Sequence, residues 1–423
     1  MLRQARPVED WAQNTTYTYD PASQVTQILH QLTATSAQIN QAAYAYNPVG
    51  NRTSLTDRRR VQSFGYDNLD RLTSASHPLL ATPQAFAYDP VGNRTTGGSV
   101  VNAGNQLTAD ANFVYQYDDN GNLTRKTLLA TGNFTAYSYD AENRLTKVED
   151  FVAGNPTPFA TSTYRYDGLG RRIEKTTPTG TRRYIYDGED ILLEYDGANV
   201  LQARYTHGPG IDEPIAVTKG GSTFFYHADG LGTVTDLTDS TGTTAKSYSY
   251  DAYGNIVDQT GTVEQPYTYT GREFDSESGL FYYRARFYDP TTGRFLQKDP
   301  IGYKGSGVNL YTYAFSNPIN LNDPLGLYPN CGSGNQTLFI PDFDFSQACT
   351  KHDDCYGRCG ANKDQCDKGF LNDMLLVCKK ASILGVKDCY ASAFFYYAAV
   401  RTPFGNDAFR NAQAECKGCS PSP

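Results

Sequence analysis

Aromatic and polar residues alternate in short runs along the first three quarters of the chain. The unit is Tyr-x-Tyr-Asp, which places two aromatic side chains on one face of a predicted strand. With small variations it occurs at Tyr17–Asp20, Tyr44–Asn47, Phe64–Asp67, Phe86–Asp89, Tyr115–Asp118, Tyr137–Asp140, Tyr164–Asp167, Tyr184–Asp187 and Tyr248–Asp251. From Tyr19 to Tyr186 the second aromatic residues lie 20 to 29 residues apart. This period predicts an array of β-strand repeats.

Most units are followed by a turn and a second short strand, as in the runs PVGNRTSL and GLGRRIEK. Asp, Asn and Gly hydrogen-bond locally or tolerate positive φ, so each unit predicts a β-hairpin. One hairpin cannot bury its tyrosine face alone. Neighbouring hairpins must therefore stack into a continuous sheet.

Residues 10–327 resemble the YD repeats of the RHS family, as in bacterial polymorphic toxins, toxin-complex shells and the teneurins. Besides the repeats, the resemblance is carried by HADGLGTVTDLTD (His227–Asp239), by Gly271–Gly302 and by NLYTYAFSNPINLNDPLGL (Asn309–Leu327). It implies an all-β spiral sheet that forms a shell around a C-terminal toxin. We expect a repeat array over residues 1–225 and an RHS core-associated domain over residues 226–327.

Two Asp-Pro pairs lie in that core, at Asp299 and Asp323. The resemblance implies aspartic-type self-cleavage after Leu327. One carboxyl group would hold a proton while the other activates water, because two close like charges cannot both ionise. Lys298 stands where the family usually has an arginine. The alternative is that each Asp-Pro pair only initiates a turn.

Composition separates the last part of the chain from the rest. Of the 33 tyrosines, 28 precede residue 328, whereas all nine cysteines follow residue 330. Residues 328–423 hold ten basic and ten acidic side chains, so the preceding part carries the whole net charge of −8. An acidic chain argues against a dedicated nucleic-acid binder, and we expect no nucleic-acid partner.

The chain contains no apolar run near the ~20 residues of a membrane span, and we expect no transmembrane segment. The run Ala391–Val400 is half that length and predicts a helix that packs on its neighbours or, alternatively, contacts lipid. The first residues lack the apolar core of a secretory signal. The cysteines nevertheless indicate an oxidising destination, so we expect a secreted or delivered protein.

The cysteine density of residues 328–423 is typical of a small disulfide-rich domain. Helical spacing places four side chains on one face, those of Cys349, His352, Asp353 and Tyr356. A second helix is predicted from Asp364 to Lys379 after a turn at Gly360. In an antiparallel pair folded about residue 360, His352 faces Asp367 and Cys355 faces Cys366.

An imidazole oriented by a carboxylate is a general base for water. Asp353 and the glycine-rich loop Asn330–Gly334 offer the oxygen ligands that suit Ca²⁺. A bound Ca²⁺ would polarise an ester carbonyl and hold the oxyanion.

The runs CTKHDDCY and CGANKDQCDKGF resemble the secreted phospholipases A2, most closely the group XII branch. The resemblance implies an all-α domain that hydrolyses the sn-2 ester of glycerophospholipids at a membrane surface with Ca²⁺. His352 would be the base, Asp367 its orienting partner and Tyr356 a hydrogen-bonding neighbour. The implied calcium ligands are Asp353 and the main-chain oxygens of Asn330, Gly332 and Gly334. The implied disulfides are Cys331–Cys349 and Cys355–Cys366.

Other interpretations remain open for this domain. A zinc site could use Cys349, His352, Cys355 and Cys359, although zinc ligands usually come from separate turns. The domain could also be an inactive, lipid-binding relative. At the level of the whole protein, we expect an RHS-type toxin or effector with an immunity partner in the producing cell. The alternative is a carbohydrate-binding or adhesion protein with a cysteine-rich cap.

Overall fold

The computed structural model describes residues 13–302, 308–327, 351–352, 355, 362–378 and 401. The chain divides into two compact units, Met1–Tyr328 and Pro329–Pro423. In the described part of the first unit, regular structure is almost entirely β-strand, and in that of the second it is helix.

The strands of the first unit form three sheets in which each strand pairs with its neighbours in the sequence. The seven-stranded sheet consists of β1 (Gln13–Tyr19), β2 (Val25–Leu32), β3 (Gln38–Tyr46), β4 (Arg52–Asp57), β5 (Arg60–Tyr66), β6 (Leu72–Ala75) and β7 (Gln84–Ala85). The four-stranded sheet consists, in order, of β24 (Glu273–Asp275), β25 (Leu280–Tyr283), β26 (Arg286–Asp289) and β27 (Arg294–Phe295).

The largest sheet has sixteen strands and runs in unbroken sequence order. Its strands are β8 (Val100–Val101), β9 (Leu107–Ala109), β10 (Phe113–Tyr117), β11 (Leu123–Leu128), β12 (Phe134–Tyr139), β13 (Leu145–Phe151), β14 (Ala160–Tyr166), β15 (Arg172–Thr177), β16 (Gly180–Asp187), β17 (Asp190–Asp196), β18 (Leu201–His207), β19 (Pro214–Lys219), β20 (Ser222–Ala228), β21 (Val234–Thr238), β22 (Thr244–Tyr250) and β23 (Ile256–Gly261). The predicted all-β repeat array is confirmed.

The aspartate of each repeat builds the turn that follows it. In the turn after β5, the Asp67 Oδ1 atom accepts hydrogen bonds from the backbone N–H groups of Leu69, at 2.9 Å, and Arg71, at 3.0 Å. The residue between them, Asp70, has φ 59°, and Gly170 has φ 82° at the equivalent position after β14. The repeated Asp and the Gly, Asn or Asp three positions after it therefore specify one turn geometry along the array.

The second tyrosine of most repeats bonds to the repeat before it. In seven repeats its hydroxyl donates to a backbone carbonyl of the preceding unit, at 2.5 to 2.9 Å. The pairs are Tyr46 with Val25, Tyr66 with Arg52, Tyr88 with Leu72, Tyr139 with Leu123, Tyr166 with Leu145, Tyr186 with Arg172 and Tyr250 with Val234. The first aromatic residue of most repeats is buried in the core.

The four-stranded sheet packs on the sixteen-stranded sheet through a core of aromatic side chains, among them Tyr205, Tyr226, Tyr283 and Tyr288. Buried Arg172 of β15 also forms ion pairs with Glu273 and Asp275 of β24. The segments expected as residues 1–225 and 226–327 thus lie in one compact unit, and β20 runs across the expected boundary.

The helix of the second unit, α1, spans Lys363–Cys378, close to the helix predicted from Asp364 to Lys379. Among the residues that the structure describes, no helix combines the length and apolar character needed to cross a membrane.

Candidate functional site

Asp299 and Asp323 meet at one buried arginine. Arg286, the first residue of β26, is 0% exposed, and the two aspartates are 3% and 2% exposed. Its Nη2 atom lies 3.1 Å from Oδ2 of Asp299 and 3.3 Å from Oδ2 of Asp323. Two carboxyl groups that are 24 positions apart in the sequence therefore share a single guanidinium nitrogen.

The remaining atoms of Arg286 are also engaged. Its Nη1 atom donates to the carbonyl of Leu310 at 3.0 Å, and its guanidinium carbon lies 3.7 Å from the centre of the Phe295 ring. Burial disfavours the charged guanidinium and lowers the pKa of Arg286, while Asp323 and Asp299 oppose that shift. The carboxyl groups thus offset the cost of burying this cation.

The expected cleavage position lies beside this cluster. The backbone N–H of Leu327 donates to Oδ1 of Asp323 at 2.9 Å, and the carbonyl of Gly326 accepts from Nε of Arg286 at 2.6 Å. Each of the last two described residues before position 328 is therefore hydrogen-bonded to a member of the cluster.

Both aspartates also initiate turns, as the alternative interpretation of the Asp-Pro pairs requires. The Asp299 Oδ1 atom accepts from the N–H of Ile301 at 3.1 Å, and the carbonyl of Asp323 accepts from the N–H of Gly326 at 3.2 Å. A turn needs no shared buried arginine, however. The turn interpretation accounts for Oδ1 of Asp299 and the main-chain carbonyl of Asp323, and leaves the contact of both Oδ2 atoms with Arg286 unexplained.

Sequence reasoning missed Arg286. Lys298 occupies the position next to Asp299 at which an arginine was expected. A signal was present, since Arg286 occurs in the aromatic run FYYRARFYD, where a charged side chain must be either exposed or paired with buried partners.

In the second unit, His352 and Asp367 form a buried pair. The His352 Nε2 atom lies 3.1 Å from Oδ1 of Asp367, and the two residues are 6% and 1% exposed. On α1, Nζ of Lys363 lies 2.7 Å from Oδ2 of the same aspartate. The Phe370 ring stacks on the imidazole with 4.5 Å between ring centres.

This environment sets the protonation of the imidazole. Burial lowers the pKa of His352, and the hydrogen bond to Asp367 opposes that shift. A histidine with a lowered pKa is neutral at neutral pH and can accept a proton. Since a His-Asp pair activates water or a hydroxyl group for attack on many kinds of centre, the geometry does not specify a substrate.

Cys355 and Cys366 are joined by a disulfide, with an S–S distance of 2.02 Å. This bond takes Cys355 out of the alternative zinc site. The other expected site residues of this unit lie outside the described residues: Tyr356, Asp353, Asn330, Gly332, Gly334, Cys331 and Cys349. Ca²⁺ binding therefore stays a prediction. Within the described ranges, no group of three or more His, Cys, Asp or Glu residues is placed to hold a metal ion.

The model of the family described as "Teneurin YD-shell" matches residues 2–159 and 80–319 of the chain. The two matches overlap and together cover most of the first unit.

Two curated relatives are toxins or nucleases. The tRNA3(Ser)-specific nuclease WapA of Bacillus spizizenii is 39% identical over 230 residues, which are 52% of this chain and 9% of that protein. The double-stranded DNA deaminase toxin A of Burkholderia cenocepacia is 31% identical over 340 residues, 70% of this chain and 23% of that protein. The chain thus spans less than a quarter of the length of either relative.

Among solved structures, the crystal structure of TcdB2-TccC3-TEV is similar, with a TM-score of 0.61 and 21% sequence identity. The match covers 75% of this chain and 18% of that one. At this identity the likeness shows a common fold.

These comparisons correct two expectations. The predicted phospholipase A2 activity, a carboxylic ester hydrolysis, is wrong, because the relatives are a nuclease and a DNA deaminase. The exclusion of nucleic acid conflicts with the same relatives. Both errors have a physical reason. The His-Asp pair is common to many reactions, and the net charge of −8 belongs to the part of the chain before residue 328.

Proposed function

Because the chain belongs to the teneurin YD-shell family, we propose that it is part of an RHS-type polymorphic toxin that cuts itself after Leu327. The cut releases residues 328–423 as the effector. The observation that carries the proposal is the contact of Asp299 and Asp323 with one nitrogen of Arg286, directly beside Leu327. The toxin and nuclease relatives support the assignment to a toxin.

The reaction is hydrolysis of the peptide bond between Leu327 and Tyr328. One carboxylate of the pair removes a proton from water, which attacks the carbonyl carbon of Leu327. The other carboxyl group gives a proton to the leaving nitrogen of Tyr328. One water is consumed, and the products are a carboxyl group on Leu327 and an amine on Tyr328. The positive charge of Arg286 favours the negative charge that develops during attack.

The contact between Asp323 and the N–H of Leu327 fixes the residue that carries the reacting carbonyl. Together with the bond from Arg286 to the Gly326 carbonyl, it places the peptide without a separate binding cleft. An intramolecular substrate held in this way is already oriented for attack.

The test is expression and purification of the full chain with Asp299→Asn and Asp323→Asn variants, followed by intact mass measurement. We expect the wild-type chain as two fragments that meet between Leu327 and Tyr328, and each variant as one intact chain. Asp167→Asn is the matched control, because Asp167 also builds a turn, the one between β14 and β15, and is not part of the aspartate pair. An intact wild-type chain, as an adhesive protein with a fixed cap would give, contradicts the proposal.

For the released effector, we propose that His352, oriented by Asp367, is the general base. The support is their buried contact at 3.1 Å, the lowered pKa of His352 and the salt bridge from Lys363. An effector of this kind requires an immunity partner in the producing cell, and its delivery requires passage out of that cell.

The effector is tested by expressing the full chain in bacterial cells and following growth, with DNA and RNA integrity as further readouts. We expect growth arrest that His352→Gln relieves while cleavage after Leu327 continues. His77→Gln is the control, because His77 is also buried but lies in the first unit. Equal growth arrest by wild type and His352→Gln would exclude His352 as the base.

A further inference from the structure

Three successive carbonyls before the proposed cleavage position are held by three successive residues of one hairpin. The carbonyls belong to Pro324–Gly326 and the donors to Arg284–Arg286. A side-chain nitrogen of Arg284 donates to Pro324, the backbone N–H of Ala285 donates to Leu325 at 3.2 Å, and Nε of Arg286 donates to Gly326 at 2.6 Å. The segment that precedes the proposed cleavage position is therefore held by hydrogen bonds to its main chain.

Arg284 holds this position at a conformational cost. Its φ is 56°, in the left-handed region that side-chain-bearing residues disfavour, in the turn between β25 and β26. A glycine would fit this turn more easily. An arginine in a disfavoured conformation suggests that its side chain has a task that glycine cannot perform.

The guanidinium of Arg284 is held by the carboxylate of Asp212, which lies in the loop between β18 and β19. Its Nη2 atom lies 2.8 Å from Oδ1 of Asp212, and its Nη1 atom lies 3.2 Å from Oδ2. Asp212 is itself buried and also binds Arg272. A paired contact of this kind fixes the plane of the guanidinium. The nitrogen that donates to Pro324 therefore points in one direction.

We propose that Arg284, oriented by Asp212, is a positioning residue that holds the segment before Leu327 in place against the aspartate pair. The inference rests on the proposed self-cleavage. Arg284 touches the Pro324 carbonyl, three residues before the cut, and takes no part in the proton transfers. Its loss leaves the aspartate pair in place but lets the segment shift relative to it.

The decisive variant is Arg284→Gly. Glycine removes the guanidinium group that binds the Pro324 carbonyl, and it adopts the left-handed conformation without strain. The fold is therefore retained while the positioning of the segment is lost. We expect cleavage to slow by about tenfold or more, the scale of a misplaced reacting group. Methylguanidine, added to the purified intact variant, is expected to restore cleavage after Leu327 by filling the vacated site.

Arg60→Gly is the matched control, because Arg60 is also an arginine with positive φ, at 96°, and is the first residue of β5, directly after a hairpin turn of the seven-stranded sheet. Its cleavage should equal that of the wild type. Thermal unfolding of each variant separates loss of positioning from loss of fold. Should Arg284→Gly not fold, Arg284→Lys decides, since one ammonium group cannot bind both Asp212 and the Pro324 carbonyl as Arg284 does.

The outcomes are distinguishable. An uncut wild-type chain contradicts the proposed self-cleavage itself. A cut wild-type chain with an equally fast, folded Arg284→Gly variant contradicts the positioning role alone. Slow cleavage that methylguanidine restores supports the role, whereas slow cleavage with a lowered unfolding temperature and no restoration assigns Arg284 to the fold only.

Discussion

Gly326 leaves no space for a side chain next to the hairpin that holds it. Its φ is 66°, and a Cβ atom there would lie 2.3 Å from the carbonyl oxygen of Tyr283. Gly279 has almost the same φ, 69°, but no atom within 4 Å of the corresponding position. Alanine substitutions at these two glycines therefore separate the cost of a left-handed backbone from the cost of a clash with the Tyr283 carbonyl.

We expect Gly279→Ala to lower the free energy of unfolding by about 1 kcal/mol, the cost of a left-handed alanine, with cleavage unchanged. Gly326→Ala should cost more and should also abolish cleavage, because the segment must move away from Arg286. Urea unfolding and fragment mass measure the two effects. Normal cleavage in Gly326→Ala would show that the close approach to Tyr283 is not needed.

At this scale the sequence predicted the groups that carry motifs and missed those that only folding brings together. Asp299 and Asp323 stand in recognisable Asp-Pro pairs, and the helical register placed His352 opposite Asp367. Arg286 becomes a neighbour of Asp299 and Asp323 only through the packing of β26. Lys363 lies one helical turn from Asp367, so the spacing in the sequence carried a signal for this ion pair.

Among the elements, the hydroxyl of the second tyrosine connects seven of the repeats to the one before. In β14 the Tyr166 hydroxyl donates to the carbonyl of Leu145 at 2.5 Å. Tyr166→Phe removes this bond, leaves the carbonyl without that donor and should lower the free energy of unfolding by about 1 kcal/mol.

The control is Tyr17→Phe in the edge strand β1, where the side chain is 53% exposed. There the same change should stay within about 0.5 kcal/mol, as is usual for exposed positions. Equal losses for the two variants in urea unfolding would show that the inter-repeat bond does not stabilise the array.

The pattern predicted the hairpins well wherever Tyr-x-Tyr-Asp occurs. It predicted fewer of the strands between Tyr186 and Tyr250, because β17 to β21 lack the tyrosine pair. The turns in this stretch still use the same aspartate geometry, as at Asp196, whose Oδ1 atom accepts from Ala198 and Val200. The division into three sheets was not predictable, because it depends on where short strands such as β7 and β8 stop pairing.

In the folded molecule, two histidines meet where the seven-stranded and sixteen-stranded sheets contact each other. The rings of His30 in β2 and His227 in β20 are 4.8 Å apart. Burial lowers the pKa of His227 to about 3, and His30 adds to that shift. Nearby, burial raises the pKa of Asp236 to about 6 against the influence of Arg58 and Arg59.

These shifts have opposite consequences in acid. The pKa of His227 is lower in the folded state than its unfolded value of about 6.5. Stability is therefore unaffected by this group above about pH 6.5, and it falls as the pH drops from about 6.5 toward 3, because only the unfolded state takes up the proton. The loss is about 1.4 kcal/mol per pH unit, or about 2 kcal/mol at pH 5. Asp236, with a raised pKa, contributes in the opposite direction below about pH 6.

We therefore expect His227→Gln to lose about 2 kcal/mol less than the wild type between pH 7 and pH 5 in urea unfolding. Asp236→Asn should instead make the loss steeper than in the wild type. Parallel pH profiles for wild type and His227→Gln would mean that the histidine contact does not govern acid sensitivity.

The unbroken order of the strands has a consequence for timing. Because each strand pairs only with its neighbours in the sequence, a chain emerging from the ribosome can complete each hairpin as it appears, with little entropy lost to long loops. The residues of the proposed cleavage site, at positions 286, 299 and 323, follow the sixteen-stranded sheet in the sequence. The sheet that carries Arg286 is anchored to β15 by the pairs of Arg172 with Glu273 and Asp275. The proposed cleavage site therefore assembles only after the sixteen-stranded sheet has formed, so the proposed self-cleavage would follow completion of the repeat array.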